Sequence, residues 1–538
     1  MLLRSLLVLL ALTIALPTAS WAANVEYQGA GGSLVVAGDW YVITNANNPA
    51  SRTGVTRLPV KYSGTYPSGT PGDLAIIRNG TTTTVNGTLN AQHMSIGGPI
   101  ITGQPTGPAT TVYVSSGGTM SLYSDEPTID ELDPQYLRFD IGYAYPATLN
   151  VNGGYINVFP RRGGSMRLGD NGVKAVLNIT GGTIDLVDPL VDAPSGLYLG
   201  GHNGGTGIVN QSGGLLREVS PAGPTGSYSW GRFGNGGYAE YNLSGGTYSC
   251  SNVMRVGNEW TDPDTVLPDQ PGTGVFTLTG GTLNYGYRII VGDGNRGDAN
   301  VGHLRLLGGT IMSDPSINPT FASHLWVGRG QAETAFAGAI GKMTYNQSVV
   351  IDSHGLVEGR DGWDTTNTQT EVKINSDADF KASFESFMIM QGALEVSLTD
   401  GYRPAIGTDW LIADSGSTPV IWALNVAKIT PGFRVEARTL DVYLVCDALV
   451  HQGDANNDGA VNVGDLGILA ANWQQATVLG KAWNEGDFTG DDIVNVGDLG
   501  VLAANWGWTG APAGPNAPEP ASLVLLALGG LAMLRRRR

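Results

Sequence analysis

Short segments with alternating hydrophobic and polar residues fill the middle of the chain, and glycines separate them. Residues 175–180 and 275–279 are typical, since about every second residue is apolar, the period of a β-strand with one buried face. Almost no stretch between about residues 111 and 340 has the 3.6-residue period of a helix. The pattern predicts an all-β body.

A Gly-Gly pair returns every 28 to 36 residues through this body. The pairs are Gly117-Gly118, Gly153-Gly154, Gly181-Gly182, Gly213-Gly214, Gly245-Gly246, Gly280-Gly281 and Gly308-Gly309. A second signature, a short apolar strand that ends in glycine, falls between them at Gly169, Gly200, Gly257, Gly292 and Gly328. A period of this length is typical of stacked or radial repeat proteins.

Coils that stack edge to edge pair each strand with its copy in the next coil and bury a continuous core. A right-handed parallel β-helix therefore fits the repeat best, and a β-propeller is the main alternative. The glycine-rich repeats also resemble the β-strand repeats of autotransporter passenger domains, which implies an extended surface protein.

Changes in composition divide the chain into six segments. These are a signal peptide (1–22), an N-terminal β cap (23–110), β-solenoid repeats (111–340), a C-terminal β cap or small β domain (341–449), a tandem loop-helix module (450–509), and a linker with a terminal sorting or anchor segment (510–538). The expected fold class is all-β, a parallel β-helix with β caps, followed by a small α-helical module and a C-terminal transmembrane helix.

Two acidic twelve-residue loops, 454–465 and 487–498, lie thirty-three residues apart. Oxygen donors at loop positions 1, 3, 5, 9 and 12, with the carbonyl of position 7, can surround a hard cation such as Ca²⁺. Each loop opens a segment with helical period, whose apolar residues are Leu466, Leu469 and Trp473 in the first copy and Leu499, Leu502 and Trp506 in the second. The spacing predicts a calcium-binding tandem.

At these residues the segment resembles a type I dockerin, a duplicated loop-helix module that docks into cohesin domains. The resemblance covers about a tenth of the chain and implies two Ca²⁺ sites. The implied ligands are Asp454, Asn456, Asp458, Asn462 and Asp465, then Asp487, Thr489, Asp491, Asn495 and Asp498, with the carbonyls of Ala460 and Ile493.

The two copies differ at loop position 6, which usually needs the positive φ that glycine tolerates. The first copy has Gly459 there and the second has Asp492, so we expect strain or a weaker second site. The resemblance places partner selection at positions 10 and 11, which hold Val463-Gly464 and Val496-Gly497. The implied partner is a cohesin-like domain or another envelope protein, and a calcium-stapled spacer without a partner is the alternative.

The two ends of the chain carry export signals. Arg4, an apolar run over residues 6–16 and Ser20-Trp21-Ala22 form a secretory signal peptide. The tail, Pro518-Glu519-Pro520, an apolar run over 521–534 and four terminal arginines, resembles a PEP-CTERM sorting signal, which implies recognition by an exosortase-type enzyme. We therefore expect localisation to the cell envelope, outer surface or extracellular matrix, with a transient or permanent C-terminal anchor.

Charge and cysteine content narrow the function further. The formal charge is −17, and removal of Arg4 and the four terminal arginines, five positive charges, gives −22. Nucleic acid is a poor partner for such a chain, whereas divalent cations are a natural one. Cys250 and Cys446 are the two cysteines, and they allow one disulfide or two separate buried thiols.

No catalytic motif stands out in the sequence. The six histidines have no metal-ligand spacing and are expected mostly at turns or on the surface. The acids that folding could pair at glycosidase distance are Asp293, Asp298, Asp352, Glu358, Asp361 and Asp364. The leading hypothesis is a non-catalytic, exported scaffold or adhesion protein. The alternative is a polysaccharide lyase, a glycoside hydrolase or a carbohydrate-binding protein on a β-helix.

Overall fold

A computed structural model gives the fold of the chain. It describes residues 24–27, 32–33, 40–43, 52–56, 74–77, 80, 82–91, 93–98, 109–124, 138–160, 165–187, 196–201, 204–219, 230–251, 253–258, 270–294, 300–314, 323–330, 339–358, 368–415, 421–424, 426, 428–439, 441–448, 450–475 and 477–510. The predicted signal peptide and the tail from residue 511 lie outside these ranges.

The described residues are mostly β-strand. In chain order the strands are β1 (Asn24–Tyr27), β2 (Gly32–Ser33), β3 (Trp40–Ile43), β4 (Arg52–Thr56), β5 (Leu74–Ile77), β6 (Thr82–Val85), β7 (Thr88–Ala91), β8 (His93–Ile96), β9 (Thr110–Val114), β10 (Thr119–Ser124), β11 (Arg138–Ile141), β12 (Ala147–Pro160), β13 (Ser165–Leu168), β14 (Lys174–Val187), β15 (Gly196–Leu199), β16 (Thr206–Val219), β17 (Trp230–Asn235), β18 (Tyr238–Cys250), β19 (Val253–Asn258), β20 (Thr273–Leu278), β21 (Thr282–Tyr285), β22 (Arg288–Gly294), β23 (Val301–Leu306), β24 (Thr310–Ser313), β25 (His324–Gly330), β26 (Ile340–Asn346), β27 (Val350–Glu358), β28 (Thr368–Ile374), β29 (Lys381–Met390), β30 (Ala393–Leu398), β31 (Asp409–Ala413), β32 (Ile421–Leu424), β33 (Lys428–Ile429), β34 (Phe433–Arg438) and β35 (Asp441–Cys446).

Parallel pairing between successive coils builds one large sheet with three faces. The first face runs through β6, β9, the N-terminal halves of β12, β14, β16 and β18, then β20, β23, β26, β28, β30 and β33. The second runs from β7 and β10 through the C-terminal halves of the same long strands to β21, β24, β27 and β29. The third runs through β5, β8, β11, β13, β15, β17, β19, β22, β25, the ends of β27 and β29, and β32. The predicted parallel solenoid is confirmed.

Alternation along each strand places apolar side chains inside the solenoid. In β14, Ala175, Leu177 and Ile179 are buried, whereas Val176 and Asn178 between them are half-buried. Outward asparagines stack along the first face, and each one after the first donates to its copy in the preceding coil at 2.8 to 3.1 Å. They are Asn150, Asn178, Asn210 and Asn242. The alternation of apolar and polar residues in the sequence therefore predicts which side chains lie in the core.

The second glycine of most Gly-Gly pairs turns the chain between two faces. Gly246 has a φ of +77°, and a Cβ there would lie 2.5 Å from the backbone carbon of Gly213 in the neighbouring coil. Only glycine accepts both the left-handed conformation and the close approach. The repeat of Gly-Gly pairs therefore marks the corner at which coils stack.

The parallel ladder extends beyond residues 111–340 in both directions. It begins in the 23–110 segment with β5 pairing to β1 and β8, and continues through β28, β30 and β33 of the 341–449 segment. The coils of β28, β30 and β33 fold like the repeats although residues 341–449 contain no Gly-Gly pair. Among the described strands, antiparallel pairing is confined to β1, β3 and β4 at one end and to a three-stranded sheet, β31-β35-β34, at the other.

Two α-helices follow the last strand in the described part of the chain, α1 (Val463–Ala471) and α2 (Val496–Ala504), with a short 3-10 helix (Trp483–Glu485) between them. None of the helices among the described residues has the length and apolar character needed to cross a membrane. The expected transmembrane segment, 521–534, lies outside those residues. Cys250 and Cys446 are both buried and form no disulfide.

The carboxyl group of Glu218 lies inside the solenoid. Glu218 is 1% exposed, and it accepts hydrogen bonds from the hydroxyl of Tyr248 and, at 3.3 Å, from the backbone N–H of Leu197. Burial raises the pKa of Glu218 to about 7, although both hydrogen bonds act to lower it.

We expect the substitution Glu218→Gln to remove a pH dependence of stability. Because the folded pKa of Glu218 is raised from 4.5 to about 7, its stabilising contribution is complete below pH 4.5 and is lost as the pH rises through 7. The loss should reach at most about 3 kcal/mol in the wild type. Amide hydrogen exchange of β16 and β18 between pH 5 and 8, corrected for intrinsic rates, measures this loss of stability. Equal pH dependence in wild type and variant would contradict the assignment.

Candidate metal centre

The two loops enter their helices in the same way. Asn462 caps α1 by accepting from the N–H of Gly464 at 2.7 Å, and Asp465 accepts from the N–H of Asn462 at 2.8 Å. Asn495, Gly497 and Asp498 repeat both contacts at the start of α2. In each copy these two hydrogen bonds form a reciprocal capping box, which satisfies N–H groups that the start of a helix leaves without partners.

In the first loop, buried carboxylates collect backbone N–H groups. Asp454 and Asp465 are both 0% exposed. Asp454 Oδ1 accepts from the N–H of Asp458 at 3.1 Å and its Oδ2 from Gly459 at 3.0 Å, while Asp465 Oδ1 accepts from Ala455 at 2.8 Å. The chain therefore wraps around the acids at positions 1 and 12.

The second loop repeats this wrapping. Asp487 Oδ1 and Oδ2 accept from the N–H groups of Gly490 and Asp492, each at 2.8 Å. Thr489 Oγ1 lies 3.0 Å from Asp498 Oδ1 and 3.3 Å from Asp487 Oδ1. The oxygens of positions 1, 3 and 12 thus lie close together.

Three carboxylates converge in the second loop. Ligand atoms of Asp487, Asp491 and Asp498 all lie within 4.8 Å of one another, and no other group of three metal-ligating side chains in the described ranges lies so close. Asp487 and Asp498 are buried, whereas Asp491 is exposed. The set consists of hard oxygen donors, which suits Ca²⁺ in type and spacing.

Burial of the position 1 carboxylates, Asp454 and Asp487, carries an electrostatic cost. Burial raises the pKa of Asp454 to about 6, and it raises the pKa of Asp487 to about 7. The neighbouring Asp465 and Asp498 raise them further, against backbone hydrogen bonds that lower them. A divalent cation would offset this cost, so the residues present fit a calcium ion.

The asparagine at position 9 acts mainly as a cap. In both copies its side-chain oxygen accepts from the helix, while its Nδ2 faces the loop, 3.3 Å from the carbonyl of Ala460 in the first copy and 3.0 Å from that of Ile493 in the second. Asn495 Nδ2 also donates to Asp491 at 3.1 Å. Direct ligation by Asn462 or Asn495 stays a prediction, and their capping role was missed at the sequence level.

Position 6 has the conformation that the loop spacing predicts. Gly459 has a φ of +85° and Asp492 a φ of +72°, so the aspartate does occupy the left-handed region. The side chain of Asp492 points away from the loop and forms ion pairs with Lys373 and Arg305 of the solenoid. These two contacts were not predicted from the sequence.

The two copies pack with approximate twofold symmetry. The N–H of Gln474, just after α1, donates to the carbonyl of Val494 in the second loop at 2.8 Å. The N–H of Gly507, just after α2, donates to the carbonyl of Val461 in the first loop at 2.9 Å. Val461, Val494, Leu469 and Leu502 are 0 to 1% exposed. The two copies therefore pack against each other.

Residues 516–538 match the PEP-CTERM protein-sorting motif. No curated protein and no solved structure is similar enough to the chain to be matched. The PEP-CTERM motif indicates an exported protein that is sorted to the cell surface and processed by an exosortase-type enzyme. It covers only the tail, so it assigns no role to the solenoid or to the two loops.

The acids considered for catalysis do not come together where the structure describes them. Asp293 is 1% exposed on the third face and pairs with Arg255 at 2.9 Å. Asp352 lies on the second face, at the start of β27. For Glu358 only the backbone is described, and Asp298, Asp361 and Asp364 lie outside the described residues.

The histidine prediction needs correction at two described positions, since His303 and His451 are both buried. His303 is 1% exposed, because the tandem module covers the outward face of β23. Its Nδ1 donates to the carbonyl of Val478 at 3.0 Å, and Nε2 lies 2.9 Å from Thr344 Oγ1. Burial lowers the pKa of His303 to about 3, so the ring is neutral at pH 7. The sequence could not show this burial, because Val478, which contacts His303, lies 175 residues further along the chain.

Proposed function

We propose that the protein is an exported, non-catalytic scaffold or adhesion protein of the cell envelope or its extracellular matrix, and that residues 450–509 form a calcium-dependent interaction module. The tail match supports export and surface sorting. The observation that carries the proposal is the paired set of buried carboxylates, Asp454 with Asp465 and Asp487 with Asp498, at identical positions of two loop-helix copies.

In this proposal each loop holds one Ca²⁺. Asp454, Asn456, Asp458 and Asp465 supply oxygens in the first loop with the carbonyl of Ala460. Asp487, Thr489, Asp491 and Asp498 do so in the second with the carbonyl of Ile493. Asn462 and Asn495 complete each set, either directly or through water. The ion compensates buried negative charge and fixes the loop that starts each helix. The second loop binds more weakly by itself, since Thr489 is a poorer ligand and Asp492 is strained.

The partner in this proposal is a cohesin-like domain or another envelope protein. Val463 and Val496 are each 73% exposed at the same position of the two copies, and Gly464 and Gly497 follow them. Exposed apolar side chains at the same position of both copies support a protein-binding surface. The approximate twofold symmetry would let the partner approach in either of two orientations.

The chain without its hydrophobic ends, residues 23–515, tests the calcium assignment. Isothermal titration with Ca²⁺ is expected to give two sites, and Asp454→Asn and Asp487→Asn should each remove one. Asp400→Asn, an exposed acid outside the loops, is the matched control and should leave two. Binding that is absent, or that survives both loop substitutions, would refute the proposal.

Catalysis has a direct test. The same chain is incubated with neutral and acidic polysaccharides, and the products are assayed for new reducing ends and unsaturated uronates. The scaffold proposal expects neither product. Either one would favour a polysaccharide-active enzyme instead.

A further inference from the structure

The outward side of the last solenoid coils is polar and yet buried. On β23, β26 and β28 the outward residues include His303, Lys342, Glu371 and Lys373, which are 0 to 6% exposed. On β16, earlier on the same face, the outward Asn210 is exposed. The residues that cover this charged patch belong to the segment between the two helices of the tandem module.

Lys373 and Arg305 make the central contacts of this interface. Lys373 Nζ donates to the carbonyl of Gly490 at 2.8 Å and to Asp492 Oδ1 at 2.9 Å. Arg305 pairs with the other carboxylate oxygen of Asp492. A Cβ at Gly490 would lie 2.5 Å from Thr399 Cγ2, so the glycine permits the close approach of loop and solenoid. The second loop is therefore held by the solenoid at positions 4 and 6.

The residue that docks the module also shapes the second calcium loop. The backbone N–H of Asp492 donates to Asp487 Oδ2 at 2.8 Å, at loop position 1. Its left-handed φ of +72° is costly for a residue other than glycine, and the two ion pairs of its side chain compensate that cost. In the first loop the same position is Gly459, which has no side chain to dock.

We propose that docking onto the solenoid and calcium binding in the second loop stabilise each other through Asp492. This inference rests on the proposed calcium function. The solenoid fixes the loop in the conformation that gathers Asp487, Asp491 and Asp498, so less order has to be created when the ion binds. By linkage, calcium tightens docking by the same factor. The exposed Val463 and Val496 stay accessible in the docked arrangement, so docking orients the module and leaves its binding surface open.

The sign of the effect separates this mechanism from simple charge repulsion. Lys373 is a positive charge next to a cation site, and its removal by repulsion alone would tighten calcium binding. If Lys373 acts by holding the loop in shape, its removal weakens binding. The two accounts predict opposite changes for the same substitution.

The test uses residues 23–515 carrying Asp454→Asn, which leaves only the second loop to bind calcium. In this background Lys373→Met is expected to weaken Ca²⁺ binding about tenfold in isothermal titration. Asp492→Asn, which keeps a residue that tolerates positive φ but removes the charge, should weaken it similarly, and the double variant should be no weaker than either single one. Lys174→Met, an exposed lysine of β14, is the matched control.

Hydrogen exchange supplies the reciprocal measurement. In the Asp454→Asn chain, calcium should slow amide exchange at the interface residues 477–492, and Lys373→Met should abolish most of that slowing. Affinity that is unchanged or tighter in Lys373→Met overturns the inference while calcium binding itself stands. A chain that binds no calcium in either loop overturns both proposals, so the two failures are distinguishable.

Discussion

Removal of calcium with a chelator is expected to unfold residues 450–510 in the intact chain while the solenoid keeps its β structure. The module has a small core, in which Val461, Val494, Leu469 and Leu502 are the central buried side chains. A core of this size supplies little stability by itself. Calcium at one hundred times its dissociation constant would contribute about 2.7 kcal/mol per site. Loss of two ions therefore removes a large part of the stability of the module.

Hydrogen exchange of residues 23–515 measures this prediction. In excess chelator the amides of α1 and α2 should exchange at least about a hundredfold faster than in excess Ca²⁺. The amides of β14 and β16 are the internal control and should not change. Equal protection of both helices under the two conditions would mean that the loops hold their shape without a metal.

The solenoid could be predicted from the sequence because its rules are local. Alternation in residues 175–180 places side chains inside or outside, and a Gly-Gly pair such as Gly245-Gly246 marks a corner that admits no Cβ. The same rules failed beyond residues 111–340, where coils such as β28 and β30 turn without that pair. There the parallel ladder continues on side-chain packing that a single sequence does not reveal.

The two loop-helix copies could also be predicted, since each set of proposed ligands lies within twelve consecutive residues. The docking of the module could not, because Arg305 and Lys373 lie 187 and 119 residues before Asp492. One local change is present in the sequence. On the first face the column of outward asparagines in β14, β16 and β18 continues in later coils as Thr277, Arg305, Thr344 and Glu371. This change alone does not indicate a covered face, since charged outward residues usually contact solvent.

Replacement of Glu371 by glutamine is expected to destabilise the covered coils by about 3 to 5 kcal/mol, because it leaves buried lysines with too little compensating charge. Glu371 is 0% exposed and pairs with Lys342 at 3.0 Å. It also accepts from Ser397 Oγ at 2.7 Å and from Thr344 Oγ1 at 3.1 Å. After the substitution, Lys342 keeps one acidic partner, Glu395 at 3.3 Å.

Native-state hydrogen exchange of β26, β28 and β30 at pH 7 measures the loss. Glu240→Gln, on the same face of an earlier coil and half-buried, is the matched control and should change stability by less than about 0.5 kcal/mol. The combined substitutions Lys342→Met, Glu371→Met and Glu395→Met should recover much of the loss, since they remove all three paired charges. A similar small effect for Glu371→Gln and Glu240→Gln would show that the buried pair contributes little.

The pH dependence gives an independent check on the same residue. Burial alone would raise the pKa of Glu371, but Lys342 and Lys373 outweigh it and lower that pKa from 4.5 to about 2. Because the folded pKa is the lower one, the stabilising contribution is present above pH 4.5 and is lost as the pH falls towards 2. Exchange in β28 should therefore accelerate in acid, after correction for intrinsic rates, more in the wild type than in Glu371→Gln. If both chains respond equally, other groups govern the acid sensitivity of these coils, and the ion pair with Lys342 is not what holds them together.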